Sequence, residues 1–567
     1  MDGGVGDVGG VGGDGGLEFD IGPEVSPAPE SVQPRAPFLS RRTRAGLLVA
    51  ILAWALAARI GSMVGPFGAG WQHLGATFAI MARNFRLYGL GATKLLPVLN
   101  PEPAPPEEWV RFAHHPPGMG LSIAATMSVV GDGPLAVKLG GLLFSLLQVG
   151  LTYALVKRAI SPLAGLVAAF VTAVLPAGAH YATHGSDLGP QAIALALLAL
   201  LLDERARERD PERPRSFAVL LAAAGSLFFG WPVLVITGVI GLRDLLQRNW
   251  KRAALFLGFA PVAFALYTLQ LEWATGRWTS QRGGSLLQAF LGHGLSGASA
   301  VLPEFGGTLF ANRIAHHAEF LFTDFGLVLA AIGLVLLALR WRREPSCRPA
   351  LLGPVLGTAA LAFGYSIPFL RAVVVHRFWL IVALPWIALL LGLAADEAWR
   401  HRLGRPVALG VLVVLGFFAT RADVLAQARE RTPFYEELGR AIRTRTRPGE
   451  LVLTTEHVNG SLDYYAERKL QGDLRDSLLA DVHEAEPPLA PSWIAIAQPS
   501  FDPVDADCDE LLERLPRHYA GTRIELPESG RTLHLFDLSR RPPEPASSPP
   551  ASAEPVKRAS SPPDGSR

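Results

Sequence analysis

The chain has 567 residues, of which 50% are hydrophobic and 18% are charged, and its mean hydropathy is +0.28. An average soluble domain has about 25% charged residues, so this composition excludes a purely soluble protein. The 52 basic and 50 acidic residues give a net charge of +2, which provides no bulk positive charge for nucleic-acid binding. Cys347 and Cys508 are far apart in the chain and on opposite sides of the predicted membrane, which excludes a disulfide framework or a cysteine metal site.

Both ends of the chain have a biased composition. Residues 1–40 are rich in glycine and then in proline, and residues 541–567 are rich in proline, serine and alanine. Such segments bury too little apolar surface to offset their chain entropy. We therefore expect two disordered tails, the first of them cytoplasmic.

Eleven apolar runs follow the first tail, and each approaches the roughly 20 residues that cross the hydrocarbon core as a helix. The predicted spans are 45–63, 133–156, 162–179, 188–203, 216–230, 232–245, 253–270, 319–339, 350–370, 378–394 and 406–421. The sequence therefore predicts a multi-pass α-helical membrane protein whose transmembrane domain covers residues 41–421.

The orientation follows from the basic residues of the short loops. These clusters lie at 41–44, 157–158, 205–215, 243–252, 340–343 and 400–405. With eleven spans every cluster falls on the side of the N-terminus, which is therefore predicted to be cytoplasmic. The opposite side then carries a first loop at 64–132, a loop at 271–318 and everything after 421. Frequent Ala, Gly, Arg and Pro suggest a GC-rich genome, so we expect a bacterial inner membrane with a periplasmic outer face.

Residues 422–540 are more polar. Short β-like runs at 450–455, 493–498 and 531–538 alternate with the amphipathic segments PFYEELGRAIRT and DELLERLPRHY. This pattern predicts a small α/β domain on the periplasmic side, with a role in packing or as a lid favoured over an independent activity.

The first external loop carries two predicted interfacial helices. In the segment 70–89, apolar and polar side chains occupy opposite faces of a helix: Phe78, Ile80, Met81, Phe85 and Leu87 on one, Arg83, Asn84 and Arg86 on the other. The stretch 118–131 is too short to span and follows Pro116 and Pro117, which favour a helix start. The titratable residues between the two helices are candidates for chemistry at the membrane surface: Glu107, Glu108, Arg111, His114 and His115.

This layout resembles the GT-C superfamily, the polyprenyl-phosphate-sugar glycosyltransferases related to protein mannosyltransferases and the aminoarabinose transferase. HHPP (114–117) precedes the second span, and MARNFRLYG (81–89) is similar to the family's interfacial helix. HYATHGSDLGPQAIALALLALLL (180–202) resembles its second external loop, where an acid opens the next helix, and HRFWLIVALPWIALLLG (376–392) resembles a later span. The resemblance covers about residues 45–540.

The resemblance implies a mechanism. A sugar arrives on a polyprenyl phosphate from within the bilayer, an external carboxylate deprotonates the acceptor hydroxyl, and the lipid phosphate leaves. Asp187 matches the acid of the second external loop, and Arg377 matches an arginine near the lipid phosphate. The substrate-binding candidates are His114, His115, Arg83, Arg377 and His376. The expected partners are the lipid-linked donor, membrane lipids and a lipid, glycan or protein acceptor, and a divalent metal ion stays open as a cofactor.

The general base is the point at which the chain departs from the family. The relatives have an aspartate at the start of the first external loop, but residues 65–77 here read GPFGAGWQHLGAT, with no carboxylate before Glu102. Three readings stay open. The base is supplied by Glu107, Glu108 or Asp187; it is His73, whose ordinary pKa near 6.5 suits a base; or the chain is a non-catalytic paralogue that binds lipid-linked sugar.

The candidates also have structural interpretations. Asp187 is suited to cap the helix that begins at the next residue, and Arg377 could extend from the end of its span to the interface. Glu107 and Glu108 are also compatible with solvated loop positions. A lipid or sugar transporter is a competing function, although the predicted spans have few of the charged residues that would mark a transport pathway.

Overall fold

The computed structural model describes residues 39–63, 65–68, 72–113, 115–184, 189–211, 214–276, 295–430, 432–456, 459–472, 491–498 and 508–540. Asp187, His114 and nearly all of both predicted tails therefore lie outside the described residues. Helices dominate up to residue 445, and a five-stranded sheet follows. The helices are α1 (Arg41–Met63), α2 (Gln72–Thr93), α3 (Gly118–Val130), α4 (Pro134–Ala159), α5 (Pro162–Val174), α6 (Pro176–Ala179), α7 (Pro190–Arg209), α8 (Phe217–Phe229), α9 (Val233–Leu246), α10 (Trp250–Leu257), α11 (Phe259–Thr275), α12 (Leu295–Phe322), α13 (Asp324–Arg343), α14 (Arg348–Ala359), α15 (Leu370–Val375), α16 (Leu384–Trp399), α17 (Gly404–Glu430), α18 (Phe434–Arg445), α19 (Gly460–Ala466) and α20 (Cys508–Arg514).

Seven segments among the described residues are helical, long and apolar enough to cross a membrane. They are Arg41–Met63, Pro134–Ala159, Trp250–Thr275, Asp324–Arg343, Pro345–Gly364, Arg377–Trp399 and Gly404–Ala428. Helix α5 and the segment Pro176–Thr183 form an eighth candidate, bent by 69°. The other three predicted spans coincide with α7, α8 and α9, of which α8 and α9 have only 13 and 14 residues. The multi-pass helical fold is as predicted, and the count of eleven spans stays a prediction.

The eighth predicted span begins later than expected. Thr323 has a positive φ of 61°, and its hydroxyl accepts a hydrogen bond from the Gly326 N–H, so it interrupts the helix and caps α13. The residues before it, including His316 and His317, lie within α12. The predicted loop at 271–318 therefore contains a long helix.

Small residues let neighbouring helices approach closely. Gly392 of α16 lies so near α5 that a Cβ atom would be 2.6 Å from the carbonyl oxygen of Ala164. Lipid tails are as apolar as leucine side chains, so helices in a bilayer associate through close packing and hydrogen bonds. This contact joins two helices from distant parts of the chain into one core.

A buried ionic network joins α7, α9 and α10 on the predicted cytoplasmic side. Arg207 donates to Asp203 at 2.8 Å and to Asp244 at 2.9 Å. Arg252 donates to both oxygens of Asp244 at 2.9 Å and also to Asp203. All four side chains are at most 7% exposed. The basic clusters that set the predicted orientation are thus partly used to hold helices together.

The interfacial helix α2 departs from its predicted faces at two positions. Asn84 was expected on the polar face, but it is buried, and its amide donates to the carbonyls of Val98 at 2.9 Å and Asn100 at 2.8 Å. Leu87 was expected on the apolar face and is 54% exposed. The residues that follow α2 fold back over it, and Asn84 satisfies two of their backbone carbonyls. A division of the helix into an apolar and a polar face does not predict this contact.

The C-terminal unit, residues 434–540, is built on a sheet of order β2-β1-β3-β5-β4. The strands are β1 (Leu451–Thr454), β2 (Lys469–Gln471), β3 (Trp493–Gln498), β4 (Ala520–Leu526) and β5 (Arg531–Asp537). β1 pairs in parallel with β2 and β3, and β5 is antiparallel to β3 and β4. Apolar residues of α18 cover one face and Leu511 and Leu515 cover the other. Three strands lie where the alternation places them, whereas β2 and β4 are absent from the sequence prediction.

We expect Asp244→Asn to destabilise the protein strongly, because Arg207 and Arg252 would keep their buried charges without a full counter-charge. Removal of one partner of a buried ion pair costs about 3–5 kcal/mol. The measurement is thermal unfolding of purified protein in one detergent. The control is Glu525→Gln, whose pair with Arg523 is exposed, since exposed pairs contribute about 0–1 kcal/mol. Equal losses in the two variants would contradict a stabilising network.

Candidate active site

The bent helix pair ends in a short turn that contains two histidines. Residues His180–Thr183 form a 3-10 turn, and His184 follows it directly. The rings of His180 and His184 lie 4.3 Å apart, and both residues are at most 3% exposed. The sequence prediction quoted this segment as a motif but assigned neither histidine a role.

A carboxylate just beyond the last predicted span lies against this turn. Asp423 of α17 is 3% exposed, and its Oδ1 lies 3.6 Å from Nδ1 of His180. Its other oxygen accepts a hydrogen bond from Gln427 at 2.8 Å. Sequence reasoning missed Asp423, because it lies just beyond the apolar run at 406–421. An ionisable residue at the end of a span is a signal that could have found it.

Arg377, which lies much later in the sequence, contacts the same turn. Its Nε donates to the Tyr181 hydroxyl at 2.8 Å, and its guanidinium lies 3.9 Å from the ring centroid of Phe320. Beside it, His376 stacks on Phe378, and His317 lies 3.1 Å from the Val374 carbonyl. Burial lowers the pKa of His317. Two motifs that lie 196 positions apart in the sequence therefore touch in the fold.

The first loop packs against this turn at the start of α2. A Cβ atom on Gly75 would be 2.7 Å from the His184 carbonyl oxygen and 3.3 Å from the Phe67 ring. Ser62 and Thr183 share a hydrogen bond of 2.9 Å, and Lys138 donates to the carbonyls of Ser62 and Gly65 at 2.8 Å. The backbone of His184 thus lies where the first loop meets the histidine turn.

The other candidates of the first loop are spread over its surface. His73 is partly buried near the start of α2, two residues before the contact with His184. His115 stacks on Phe112, and its carbonyl accepts a hydrogen bond from Tyr267. Glu107 and Glu108 are exposed in a 3-10 turn, and Glu108 pairs with Lys469 of the C-terminal unit at 3.1 Å. The fold brings neither glutamate to the histidine turn.

Arg83 faces the C-terminal unit. It forms an ion pair of 2.9 Å with Glu467 and lies 4.5 Å from the centroid of the Tyr464 ring. A cavity of about 730 Å³ opens beside this pair. Its lining combines the C-terminal end of α1 and the N-terminal end of α4 with six charged side chains and two tyrosines: Arg83, Asp132, Glu436, Arg440, Arg443, Glu467, Tyr464 and Tyr465.

Helix α19 docks the C-terminal unit onto α2. The Tyr465 hydroxyl accepts a hydrogen bond from the Phe67 N–H at 2.9 Å, and Ser461 donates to the Gly68 carbonyl at 3.2 Å. Gly460 is needed at the contact, because a Cβ atom there would overlap the Thr77 hydroxyl and the His73 carbonyl. The C-terminal unit therefore closes over the start of the first loop.

Metal binding has no support among the described side chains. No group of three His, Cys, Asp or Glu residues in those parts of the chain is arranged to hold a metal ion. Asp187 and His114 lie outside the described residues.

Comparison with known proteins identifies the fold. The family model for dolichyl-phosphate-mannose-protein mannosyltransferases matches residues 114–271. The crystal structure of apo ArnT from Cupriavidus metallidurans is similar over 88% of this chain and 99% of its own, at 13% identity and a TM-score of 0.51. The chain has the GT-C glycosyltransferase fold. This confirms the resemblance drawn from the sequence.

Two further GT-C structures carry ligands. The first is ArnT from Cupriavidus metallidurans in complex with undecaprenyl phosphate. It is similar over 87% of this chain and 98% of its own, at 15% identity and a TM-score of 0.50. The second is the archaeal oligosaccharyltransferase AglB from Archaeoglobus fulgidus, in complex with an inhibitory peptide and a dolichol-phosphate. It is similar over 85% of this chain and 72% of its own, at 12% identity and a TM-score of 0.52. No curated protein sequence matches the chain.

Asp463 lies in α19, and we expect Asp463→Asn to raise the free energy of unfolding at high pH. Burial raises the pKa of the Asp463 carboxyl from its ordinary value of 3.8 to about 7. The folded state therefore holds this proton more tightly than the unfolded chain, so stability falls as pH rises from about 4 to about 7. At pH 8 the variant should gain on the order of 2–4 kcal/mol, since one pKa unit corresponds to about 1.4 kcal/mol. Below pH 4 the gain should vanish.

Thermal unfolding of the two proteins across this pH range is the measurement, with the exposed Glu525→Gln as the control. A gain that is the same at pH 4 and pH 8 would show that the Asp463 charge is not its cause.

Proposed function

We propose that the chain is an integral membrane glycosyltransferase that transfers a sugar from a polyprenyl-phosphate donor to a lipid, glycan or protein acceptor on the periplasmic face. The observation that carries this proposal is the hydrogen bond between Arg377 and Tyr181. It joins two motifs that the family resemblance singled out, next to a buried acid and two histidines. The GT-C fold and the undecaprenyl phosphate in one structural relative support a lipid-phosphate donor.

The chemistry sets two requirements. The leaving lipid phosphate needs a cation, because negative charge develops on its oxygen as the bond to the sugar breaks. Arg377 supplies it, since a planar guanidinium suits a phosphate. The acceptor hydroxyl needs a general base. Asp187 remains a candidate for this role, while Glu108 is engaged by Lys469 and Glu107 is exposed.

The layout of the chain supports the orientation of this proposal. With eleven spans, the basic clusters lie on the cytoplasmic side, and the first loop, the histidine turn and the C-terminal unit lie together on the other. We place that unit in the periplasm as a domain that closes over the first loop. A non-catalytic paralogue that binds the donor is the alternative, and a transporter is the third.

The test uses the full chain, purified in detergent, with a panel of radiolabelled polyprenyl-phosphate sugars and an acceptor-rich membrane extract. We expect binding of one donor and release of free polyprenyl phosphate. Arg377→Ala should lower release about 100-fold, the typical effect of removing one group that stabilises developing charge. The control is Arg523→Ala, an exposed arginine of the C-terminal unit.

Three outcomes separate the functions. Release that depends on Arg377 supports the transferase. Binding without release favours the non-catalytic paralogue. No binding of any donor removes the proposal and favours transport.

A further inference from the structure

The buried carboxylate of Asp423 needs an explanation. A charge at the end of a membrane span is costly unless it is paired, and such residues mark functional sites by default. Asp423 is 3% exposed and approaches His180 at 3.6 Å. The fully buried guanidinium of Arg59 also acts on it electrostatically. However, Arg59 donates its hydrogen bonds to the carbonyls of Ala55, Ala173 and Gly178.

The partners of Asp423 therefore form a series that leads towards the first loop. Asp423 lies against His180, and the His180 ring lies 4.3 Å from that of His184. The backbone carbonyl of His184 in turn lies against the start of α2, where a Cβ atom on Gly75 would be 2.7 Å from it. The sequence has no carboxylate in that part of the first loop. The series therefore ends beside the segment in which the family resemblance leads us to expect an aspartate as the general base.

The leaving-group cation lies on the other side of the same turn. The Tyr181 ring is 5.3 Å from the ring of His184, and its hydroxyl accepts the hydrogen bond from Arg377. One tyrosine thus separates an imidazole from a guanidinium. A displacement at a sugar carbon needs a base on one side and a cation for the phosphate on the other.

We propose that His184 is the general base of the transfer and that His180 and Asp423 are positioning residues that orient it and balance the charge it gains. This inference rests on the proposed function. His184 takes the proton of the acceptor hydroxyl, and the acceptor oxygen forms a bond to the anomeric carbon. The bond from that carbon to the phosphate oxygen breaks, and the polyprenyl phosphate leaves with the electron pair beside Arg377.

Other charged and titratable groups surround the turn and set its response to pH. Asp423 on α17 favours a protonated imidazole, whereas Arg59 on α1, Lys138 on α4 and Arg377 oppose it. Helix α2 carries His73, two residues before its contact with the turn, and α12 carries His317, which lies beside the Val374 carbonyl. Because the base must be unprotonated, release of polyprenyl phosphate should rise with pH to a plateau.

The first experiment measures this profile in the full chain with the radiolabelled donor and membrane extract. Asp423→Asn should lower the plateau at least tenfold and shift the rising limb to lower pH, because the negative charge is gone. Asp423→Glu should restore the wild-type position of the limb. A purely structural role, such as neutralising Arg59, would lower release equally at every pH, and that result would overturn the proposal.

The second experiment tests His184 directly, so it is informative even if the Asp423 variants fail to fold. His184→Gly should abolish release, and added imidazole should restore part of it. The matched control is His518→Gly, an exposed histidine of the C-terminal unit, which should be unaffected with or without imidazole. No rescue of His184→Gly, in protein that elutes as a single species from a sizing column, would overturn the assignment. If the wild-type chain releases no polyprenyl phosphate at all, the proposed function fails, which is a different result.

Discussion

A fully buried guanidinium holds the bend on which the histidine turn depends. Where α5 gives way to Pro176–Thr183 the helix axis changes direction by 69°, and carbonyls near the bend lose regular helical partners. Arg59 donates to the Ala173 carbonyl at 3.1 Å and to the Gly178 carbonyl at 2.8 Å. In a bilayer an unsatisfied carbonyl costs several kcal/mol, so a broken helix needs such a partner. The bend in turn presents His180, Tyr181 and His184 to the rest of the site.

The sequence predicts the parts of the molecule that follow a simple period. The apolar runs coincide with helices, the segment at 118–131 forms α3, and three of the five strands lie where the alternation places them. These successes share a cause, since each element buries one continuous apolar stripe or face. Family resemblance and not periodicity singled out Arg377, and the fold brings its side chain into contact with Tyr181.

The features that escaped prediction are those in which a polar group has a distant partner. The sequence pattern places Asn84 on the polar face, but in the fold its amide donates hydrogen bonds to two carbonyls of the returning loop. Asp423 lies beyond the apolar run of its span, and its contact with His180 is formed only in the fold. In the sequence Arg207 and Arg252 belong to the basic clusters that predict the cytoplasmic side, but in the fold they are buried and paired with two aspartates. Periodicity reports which face is apolar, but it carries no information on which residues, far apart in sequence, complete a hydrogen bond.

The contact between the first loop and the C-terminal unit has a consequence for synthesis. The Phe67 N–H is bonded to a hydroxyl that lies 398 positions later in the chain. At about 5–20 residues per second, the ribosome needs roughly 20–80 s to make that stretch. During this interval helix α2 exists without the surface that finally covers its first turns. The first loop is thus begun early and completed last, and a chain that stops before Tyr465 leaves it open however well its spans are inserted.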